Sequence, residues 1–341
     1  MHSLLIKMSS MGDVFHTFPA LTDLQRCRPD VRIDWVVEEN FAEIAAWHPA
    51  VNRVIPISLR HWVKHRGKSD LQQFKAWRNE FQTERYDLVL DAQGLLKSAV
   101  IAKLANTDSR HGYDGESARE SIASWFYQVK HPVPQQQHAV ERTRQLFAAA
   151  FDYEQPDTLR FGIQEHFAHV KKEPNQLVFI MGTSWLTKLW SPEGWEELTR
   201  TAVREGYQVE MIWGSDDERE LADNVIEQVP EATRSIERLT IPQVAEKLVA
   251  ATAVVGLDTG FAHLAGALET PTVALYGATS PDKVGLIGDH TRNVQLSPAL
   301  DCMPCHKREC RLLPEGSNDT PPCLSGIHAS TVWRRLQEAM A

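Results

Sequence analysis

The chain has 341 residues, of which 43% are hydrophobic and 24% are charged, and its formal net charge at pH 7 is −9. Chains of this length usually form two domains, and an acidic chain is unsuited to general nucleic-acid binding. The charge is uneven: residues 1–150 carry 19 Lys+Arg and 17 Asp+Glu, whereas residues 151–341 carry 17 and 28. No apolar run approaches the roughly 20 residues of a membrane span, and we recognise no signal peptide, so we expect a cytoplasmic protein.

The first half repeats a pattern of apolar strand, polar turn and helix. Strands are predicted at residues 4–7, 32–37, 53–57 and 86–90, with a short strand or turn at 110–113. Polar turns follow at 9–13 (SSMGD) and 91–94 (DAQG), and helical spacing occurs at 14–24, 74–84 and 138–147. Residues 152–175 lack periodicity and are interpreted as the connection between domains.

The second half repeats the same pattern. Strands are predicted at residues 177–181, 208–213, 253–257 and 271–277, and helices at 192–203, 241–248, 261–268 and 332–340. Polar turns follow the strands at 182–184 (GTS), 214–218 (GSDDE) and 258–260 (DTG). This alternation predicts an α/β fold with parallel sheets that bind ligands at the carboxyl ends of their strands.

Two of the polar turns allow a structural and a chemical role. Asp13 could be the N-cap of the next helix or a carboxylate base at the edge of a cleft. At residues 258–260, free N–H groups, the Thr259 hydroxyl and the small Gly260 favour a phosphate, but an ordinary Asp-capped turn fits the spacing as well. These two turns would face each other if two α/β domains enclosed a cleft.

A basic segment occupies residues 60–68 (RHWVKHRGK). Most charge runs are solvated loops, and this is one interpretation. The other is a patch for phosphate or carboxylate groups, where arginine is favoured for bidentate contacts. Trp62 among the charges favours the patch.

Four cysteines near the C-terminus have the spacing C-x2-C-x4-C-x12-C: Cys302, Cys305, Cys310 and Cys323. In a cytoplasmic protein such spacing favours a tetrahedral zinc or iron site over disulfides. Free reduced thiols are an equal alternative. We expect no catalytic role for this segment, and the fifth cysteine, Cys27, is expected in the core.

Four motifs, taken in their order and spacing, resemble the lipopolysaccharide heptosyltransferases over nearly the whole chain. They are residues 9–13, residues 91–95 (DAQGL), residues 183–184 with Lys188 and Trp190, and residues 258–260 with His263. The resemblance implies an α/β GT-B fold, with two Rossmann-like parallel-sheet domains facing across a cleft. Residues 1–165 would be the acceptor domain and 175–322 the nucleotide-sugar domain, with the C-terminal segment and helix, 323–341, packing back on the first domain.

The resemblance also implies the reaction: inverting, metal-independent transfer of heptose from ADP-heptose to the Kdo sugar of Kdo-lipid A. The enzyme would work in peripheral contact with the cytoplasmic face of the inner membrane. Asp13 would be the general base, and Lys188 would stabilise charge on the departing diphosphate. The residues expected to bind the donor are Thr183, Ser184, Lys188, Glu218, Asp258, Thr259, Gly260 and His263. The residues expected to bind the acceptor are Ser10, Arg60, His61, Lys64, Arg119 and Arg142.

The chain departs from the family pattern at residues 185–187 (WLT), which are usually more polar, and at His61, where an arginine is common. Two alternatives stay open. One is a heptosyltransferase II-like enzyme or a protein O-heptosyltransferase, which the cysteine cluster favours. The other is a non-catalytic nucleotide-sugar binding protein, against which the presence of Asp13, Lys188 and Asp258 argues.

Overall fold

The structure, a computed structural model, describes residues 1–65 and 67–341. Arg66 of the basic segment lies outside the described residues. The chain divides into two compact units, Met1–His166 and Phe167–Ala341. The division falls within residues 152–175, the segment that lacks periodicity in the sequence.

The first unit is a parallel sheet with helices between its strands. Its strands are β1 (His2–Ile6), β2 (Arg32–Glu38), β3 (Val51–Ile57), β4 (Leu88–Asp91), β5 (Arg110–Tyr113) and β6 (Val129–His131). Its α-helices are α1 (Met11–Phe15), α2 (Phe18–Cys27), α3 (Ala42–Ala46), α4 (Leu59–His65), α5 (Lys68–Phe81), α6 (Leu96–Leu104) and α7 (Ala139–Phe151). Short 3-10 segments lie at Glu39–Phe41, Ser121–Phe126 and Gln164–Phe167.

The second unit is built in the same way. Its strands are β7 (Gln176–Ile180), β8 (Gln208–Ile212), β9 (Thr233–Arg234), β10 (Ala253–Leu257), β11 (Thr272–Tyr276) and β12 (Thr291–Gln295). Its α-helices are α8 (Pro192–Arg204), α9 (Asp216–Gln228), α10 (Ile241–Ala250), α11 (Gly260–Ala267), α12 (Pro281–Val284), α13 (Pro322–Ser325) and α14 (Ala329–Met340). A 3-10 turn lies at Leu186–Lys188.

Both sheets have the strand order of a doubly wound nucleotide-binding fold. In the described residues the orders are β3-β2-β1-β4-β5-β6 and β12-β11-β10-β7-β8-β9, all parallel. The chain direction across each sheet therefore reverses between β1 and β4, and between β7 and β10. Ligands bind at such a switch point, outside the carboxyl ends of the strands. The polar turns 9–13 and 91–94 follow β1 and β4, and the turns 182–188 and 258–260 follow β7 and β10.

The central strands are apolar along their length because helices cover both faces of a parallel sheet. Leu4, Leu5 and Ile6 of β1 are at most 1% exposed, and all residues of β10 are buried. Burying one such side chain stabilises the fold by about 1.5–3 kcal/mol. Polar side chains are therefore concentrated where these strands end.

The C-terminal helix α14 packs within the second unit. Val332, Trp333 and Leu336 belong to the same apolar cluster as residues of β7, β10 and β11. The ring of Trp333 meets that of Tyr207 edge-on, with 5.7 Å between the centroids. The apolar stripe of this helix therefore covers the sheet of its own unit.

Two helical segments also differ from the sequence-based bounds. Residues 14–24 were expected as one helix but are divided between α1 and α2, and Pro19 lies in the first turn of α2, where its missing N–H is not needed. The described part of the basic segment is mostly helical, because residues 60–65 belong to α4 and α5 begins at Lys68. Across the described residues, every helix is too short or too polar to cross a bilayer.

Replacing Asp23 by Ala should destabilise the first unit strongly. Asp23 Oδ2 lies 2.7 Å from Arg144 Nε, and the two side chains are 4% and 3% exposed. The substitution leaves a buried guanidinium with only Glu141 as a carboxylate partner, which should cost about 3 kcal/mol. The control is Asp108→Ala, which breaks an exposed pair with Arg85 and should cost about 0–1 kcal/mol. Urea denaturation followed by circular dichroism measures both, and equal stabilities would contradict the prediction.

Candidate active site

The turn after β1 holds Asp13 in the first turn of α1. Asp13 Oδ2 accepts hydrogen bonds from the backbone N–H of Ser10 at 2.7 Å and from the Ser10 hydroxyl at 3.1 Å. Ser10 is the N-cap residue of α1, and Asp13 is the third residue of the helix. The structural role that the sequence allowed for Asp13 therefore belongs to Ser10, and Asp13 closes the capping box.

Two cations keep Asp13 ionised. Lys7 Nζ lies 3.5 Å and Arg119 Nη1 lies 3.8 Å from Asp13 Oδ1. Burial alone would raise the pKa of Asp13, but the charges of Lys7 and Arg119 and the N–H of Ser10 outweigh burial and lower the pKa to about 2. The Asp13 side chain is 22% exposed. It is therefore a fixed anion that a ligand can reach.

The turn after β4 supports the turn after β1. Asp91 is fully buried and accepts hydrogen bonds from the Tyr127 hydroxyl at 2.7 Å and from the N–H groups of Gln93 at 2.9 Å and Gly94 at 3.2 Å. Gln93 Oε1 in turn accepts a hydrogen bond from the N–H of Met8 at 2.7 Å. Residues 91–94 thus fix the backbone that presents Asp13, a positioning role that the sequence analysis did not assign.

Lys97 is a site residue that the sequence analysis missed. Its Nζ lies 3.5 Å from Ser9 Oγ. The pKa of Lys97 is lowered, first by burial and then by the nearby charges of Arg60 and Arg119. Arg60 on α4 and Arg119 beside Asp13 are therefore both near enough to Lys97 for their charges to act on it. The sequence feature that could have identified Lys97 was its position on the helix that follows the polar turn 91–94.

Three of the basic residues expected to bind the acceptor, Arg60, His61 and Lys64, lie on α4, and the first two have carboxylate partners. Arg60 Nε lies 3.9 Å from Glu38 Oε1, and His61 Nε2 lies 3.1 Å from Asp70 Oδ1. The side chains of Arg60 and His61 are more than half exposed, and Lys64 is exposed. The structure brings Arg60 close to Lys97, but these contacts do not join His61 or Lys64 to Asp13.

Arg142 on α7 is held over an aromatic ring. Its guanidinium carbon lies 5.1 Å from the centroid of the Tyr113 ring, and Nη2 donates a hydrogen bond to the Ser117 carbonyl. Arg142 Nε is buried and has no hydrogen-bond partner among the described residues. A buried donor without a partner is costly unless a ligand or water accepts its hydrogen bond.

In the second unit, Asp258 is the centre of a hydrogen-bond network at the end of β10. Lys188 Nζ and Thr279 Oγ1 each lie 2.6 Å from Asp258 Oδ2, and His263 Nε2 lies 3.5 Å from Oδ1. Burial alone would raise the pKa of Asp258, but the hydrogen bond from His263 and the charge of Lys188 lower it well below its usual range. The ion pair fixes the position of the Lys188 ammonium group.

The start of α11 presents free backbone donors beside this network. Thr259 is the N-cap residue, and its Oγ1 accepts a hydrogen bond from the N–H of Ala262 at 3.4 Å. The N-cap residue of α11 is therefore Thr259. The alternative of an ordinary Asp-capped turn at residues 258–260 would have required Asp258 in that position. Gly260 begins the helix, where the N–H groups and the helix dipole favour an anion.

The turn after β7 lies across the switch point from Thr259. Thr183 is half-buried and Ser184 is exposed, so both hydroxyls can reach a ligand. Glu218 Oε2 accepts a hydrogen bond from the N–H of Gly214 at 2.6 Å. A Cβ atom on Gly182 would lie 2.0 Å from the Glu218 carboxylate, so only glycine leaves room for it there. The structure thus holds Glu218 at the ends of β7 and β8.

All four cysteines of the C-terminal cluster line one cavity together with Thr187 and Ala278. Burial, and then the proximity of Cys310, Cys305 and Cys302, raises the pKa of the Cys323 thiol to about 11. Within residues 1–65 and 67–341, however, no three His, Cys, Asp or Glu side chains are arranged to hold a metal ion. The thiols are neighbours but not a formed tetrahedral site.

The two sets of residues offer complementary chemistry. The second unit combines a fixed ammonium group, two hydroxyls and a helix N-terminus, which suit a phosphate or diphosphate. The first unit presents an ionised carboxylate beside a basic surface. On two Rossmann-like units, these features define a GT-B glycosyltransferase that uses a nucleotide sugar.

Comparison with known proteins identifies the family. The model of glycosyltransferase family 9 (heptosyltransferase) matches residues 75–315. Lipopolysaccharide heptosyltransferase 1 of Pseudomonas aeruginosa is 44% identical, over 99% of this chain and 97% of that protein. The protein of the same name from Escherichia coli K12 is 41% identical, over 86% of this chain and 92% of that protein. The chain belongs to glycosyltransferase family 9, the heptosyltransferases.

A solved structure supports the same fold. E. coli heptosyltransferase WaaC with ADP-2-deoxy-2-fluoro heptose superimposes with a TM-score of 0.85 and 37% sequence identity, over 99% of both chains. The GT-B fold and the family that the motifs implied are therefore confirmed, as is the assignment to the glycosyltransferases.

Asp13→Asn should remove part of the acid sensitivity of the first unit. The pKa of Asp13 is lowered to about 2, against about 3.9 in an unfolded chain. Ionised Asp13 therefore contributes on the order of 2 kcal/mol above pH 4, and this is lost as the pH falls from about 4 towards 2. Urea denaturation across this window should show a smaller loss for Asp13→Asn than for the unmodified chain. Asp108→Asn, at an exposed site, should keep the original slope, and an unchanged slope in Asp13→Asn would contradict the prediction.

Proposed function

We propose that the chain transfers heptose from ADP-heptose to the Kdo sugar of Kdo-lipid A, with inversion, during assembly of the lipopolysaccharide inner core. The observation that carries the proposal is Asp13, an ionised and accessible carboxylate at the switch point of the first unit. It occurs in a chain 44% identical to a lipopolysaccharide heptosyltransferase 1. The second unit would bind the donor and the first unit the acceptor.

The donor diphosphate would be bound by Lys188, by the Thr183 and Ser184 hydroxyls and by the backbone at Thr259 and Gly260. Lys188 is already oriented, because its ammonium group is paired with a buried carboxylate. A fixed cation stabilises the charge that develops on a leaving diphosphate without reorganisation during the reaction.

Glu218 would hold the ribose of the donor. One carboxylate oxygen accepts a hydrogen bond from the N–H of Gly214, and the other lies beside Gly182, in the turn that follows β7. An ionised carboxylate accepts hydrogen bonds only, which suits the hydroxyl donors of a ribose. His263 would act through Asp258, which it helps to keep ionised.

Asp13 would take the proton of the attacking acceptor hydroxyl. A carboxylate with a pKa of about 2 is a weak base, so proton transfer becomes favourable only after the hydroxyl oxygen has begun to bond to the anomeric carbon. The bond from that carbon to the diphosphate breaks on the opposite face, and its electron pair leaves with ADP. The anomeric centre is inverted, and the proton ends on Asp13 Oδ1 or Oδ2.

The acceptor carries carboxylate and phosphate groups, which the basic surface of the first unit would bind. Arg119 is next to Asp13, and Arg119 and Arg60 both lie near enough to Lys97 for their charges to lower its pKa. Arg142 offers the buried Nε donor that has no partner in the described residues. Ser10, His61 and Lys64 complete the proposed set, of which Ser10 already contacts Asp13.

Asp13→Ala should lower the rate of heptose transfer by at least about 100-fold, because general-base catalysis contributes 10²–10⁴-fold. The assay is ADP release from ADP-heptose in the presence of Kdo-lipid A, with and without a chelator. The control is Asp30→Ala, at an exposed carboxylate, which should keep full activity. ADP binding, measured by calorimetry, should be unchanged in both variants. Full activity in Asp13→Ala would return Asp13 to a purely structural role.

The same assay separates the alternatives. Activity on a heptosylated core, but not on Kdo-lipid A, would support the heptosyltransferase II-like interpretation. Modification of a protein alone would support the protein O-heptosyltransferase. Binding of ADP-heptose without transfer to any acceptor would support the non-catalytic binding protein.

We also propose no catalytic metal ion, since the cationic residues and N–H groups described above meet the charge of the diphosphate; a chelator should leave the rate unchanged. The structural zinc or iron that the cysteine spacing predicts would require the four thiols to move closer together than they lie in the structure. Elemental analysis of the purified chain decides between a bound metal and reduced thiols.

Because the proposed acceptor is a lipid, we also propose that the protein makes peripheral contact with the cytoplasmic face of the inner membrane. Trp125 and Ile122, in the 3-10 segment Ser121–Phe126, are 77% and 40% exposed. Leu96 and Val100 are exposed on α6, which packs against that segment. Exposed tryptophan beside aliphatic residues is typical of a surface that inserts at a membrane interface.

Trp125→Ser should weaken binding to vesicles of phosphatidylethanolamine and phosphatidylglycerol by about fivefold or more, because the exposed indole no longer enters the interface. Sedimentation of the full chain with vesicles measures this. The matched control is Ile236→Ser, at a 90% exposed apolar residue of the second unit. Equal binding by the two variants would contradict this surface as the site of contact.

A further inference from the structure

The indole of Trp185 contacts two cations. Lys188 Nζ lies 4.7 Å and the guanidinium carbon of Arg308 lies 5.2 Å from the ring centroid. Both distances fall within the range of cation–π attraction. They also place the two charges within about 10 Å of each other, roughly one Debye length at 0.1 M salt. Trp185 immediately precedes the 3-10 turn Leu186–Lys188.

Arg308 is held in place by the residues that precede it. The Thr187 hydroxyl donates a hydrogen bond to the Lys307 carbonyl at 2.7 Å. The N–H of His306 donates to the Ala278 carbonyl at 2.8 Å. Thr187 lies in the 3-10 turn after β7, and Ala278 follows β11. The cysteine-containing segment is therefore docked on the donor side of the second sheet.

The two cations differ in their counter-ions. Lys188 is paired with Asp258 at 2.6 Å. Arg308 is exposed, and none of the described carboxylates lies within 4.0 Å of it. An exposed guanidinium without a counter-ion, held beside a lysine at the end of a phosphate-type turn, is arranged to receive an anion.

We infer that Arg308 is a second diphosphate-binding residue of the donor site, and that Trp185 is the platform that orients its guanidinium group. The inference rests on the proposed function, because it takes the diphosphate of a nucleotide sugar as the ligand. Lys188 supplies a point charge, whereas Arg308 supplies a planar fork that can bind two phosphate oxygens. The cysteine segment thereby acquires a role: it carries Arg308 to the donor site.

A requirement for the diphosphate group would distinguish a binding role of Arg308 from a general effect of surface charge. When ADP leaves, negative charge builds on its phosphate oxygens, and a second fixed cation stabilises that charge. Adenosine has no phosphate, so its affinity should not depend on Arg308. Comparison of ADP with adenosine therefore isolates the contribution of Arg308 from the rest of the nucleotide site.

Arg308→Gln should lower the affinity for ADP about tenfold and leave the affinity for adenosine within about twofold of the unmodified chain. Isothermal titration calorimetry of the full chain measures both ligands. Arg308→Lys keeps the charge without the fork and should give an intermediate affinity. The matched control is Arg311→Gln, which removes the same charge from an exposed position of the same segment and should bind ADP normally.

Trp185→Leu tests the platform. If Trp185 acts by orienting Arg308, the effects of Trp185→Leu and Arg308→Gln on ADP affinity should not add, and the double variant should resemble Arg308→Gln. Circular dichroism and thermal unfolding check that each variant is folded. Additive losses of ADP affinity would show that Trp185 does not act by orienting Arg308. Arg308 would then contact the diphosphate independently of Trp185.

The outcomes separate this inference from the proposed function. ADP affinity unchanged in Arg308→Gln, or lowered equally in Arg311→Gln, would overturn the inference alone. ADP binding that depends on Arg308, in a chain that transfers no heptose, would support the inference and overturn the proposed reaction. A chain that binds no ADP would overturn both.

Discussion

Both sets of functional residues depend on parallel pairing at the centre of each sheet. Ile6 of β1 pairs with Asp91 of β4, and Ile180 of β7 pairs with Gly256 of β10. Neighbouring strands therefore end at the same level, and the turns that follow them meet at the switch point. Because these central strands are buried on both faces, charged side chains lie at the last residue of a strand, as Asp91 does, or beyond its end. This constraint brings together residues that lie 70 or more positions apart in the sequence, such as Lys188 and Asp258.

Electrostatics then give two similar carboxylates different tasks. Asp13 and Asp258 both have a lowered pKa, because cations and hydrogen-bond donors outweigh the effect of burial. The oxygen of Asp258 is shared by Lys188 and Thr279 at 2.6 Å, and the side chain is 7% exposed. The cations beside Asp13 are more distant and the carboxylate is accessible. Asp258 is thus suited to orienting a cation, and Asp13 to meeting a substrate.

The sequence predicted the strands that are apolar and bounded by polar turns, and it missed three of the strands at the edges of the sheets. Strands β6 and β9 were not predicted because they have only three and two residues, and β12 was not predicted because it is mostly polar. The helix caps also differ from the structural alternative that the sequence left open, since Ser10 and Thr259 are the N-cap residues and Asp13 and Asp258 are not. A cap depends on backbone geometry at one residue, which composition and spacing specify only to within a few positions.

The sequence by itself determined the α/β fold, the family, and the placing of Asp13, Lys188 and Asp258 in polar turns, because apolar periodicity and short motifs are local properties of the chain. Only the tertiary structure decided which distant charges meet. Arg60 and Arg119 lie near enough to Lys97 for their charges to lower its pKa, and Arg308 reaches Trp185 from a segment more than 100 residues away. Coulomb energies depend on distance and burial in three dimensions, so no pattern along the chain contains them.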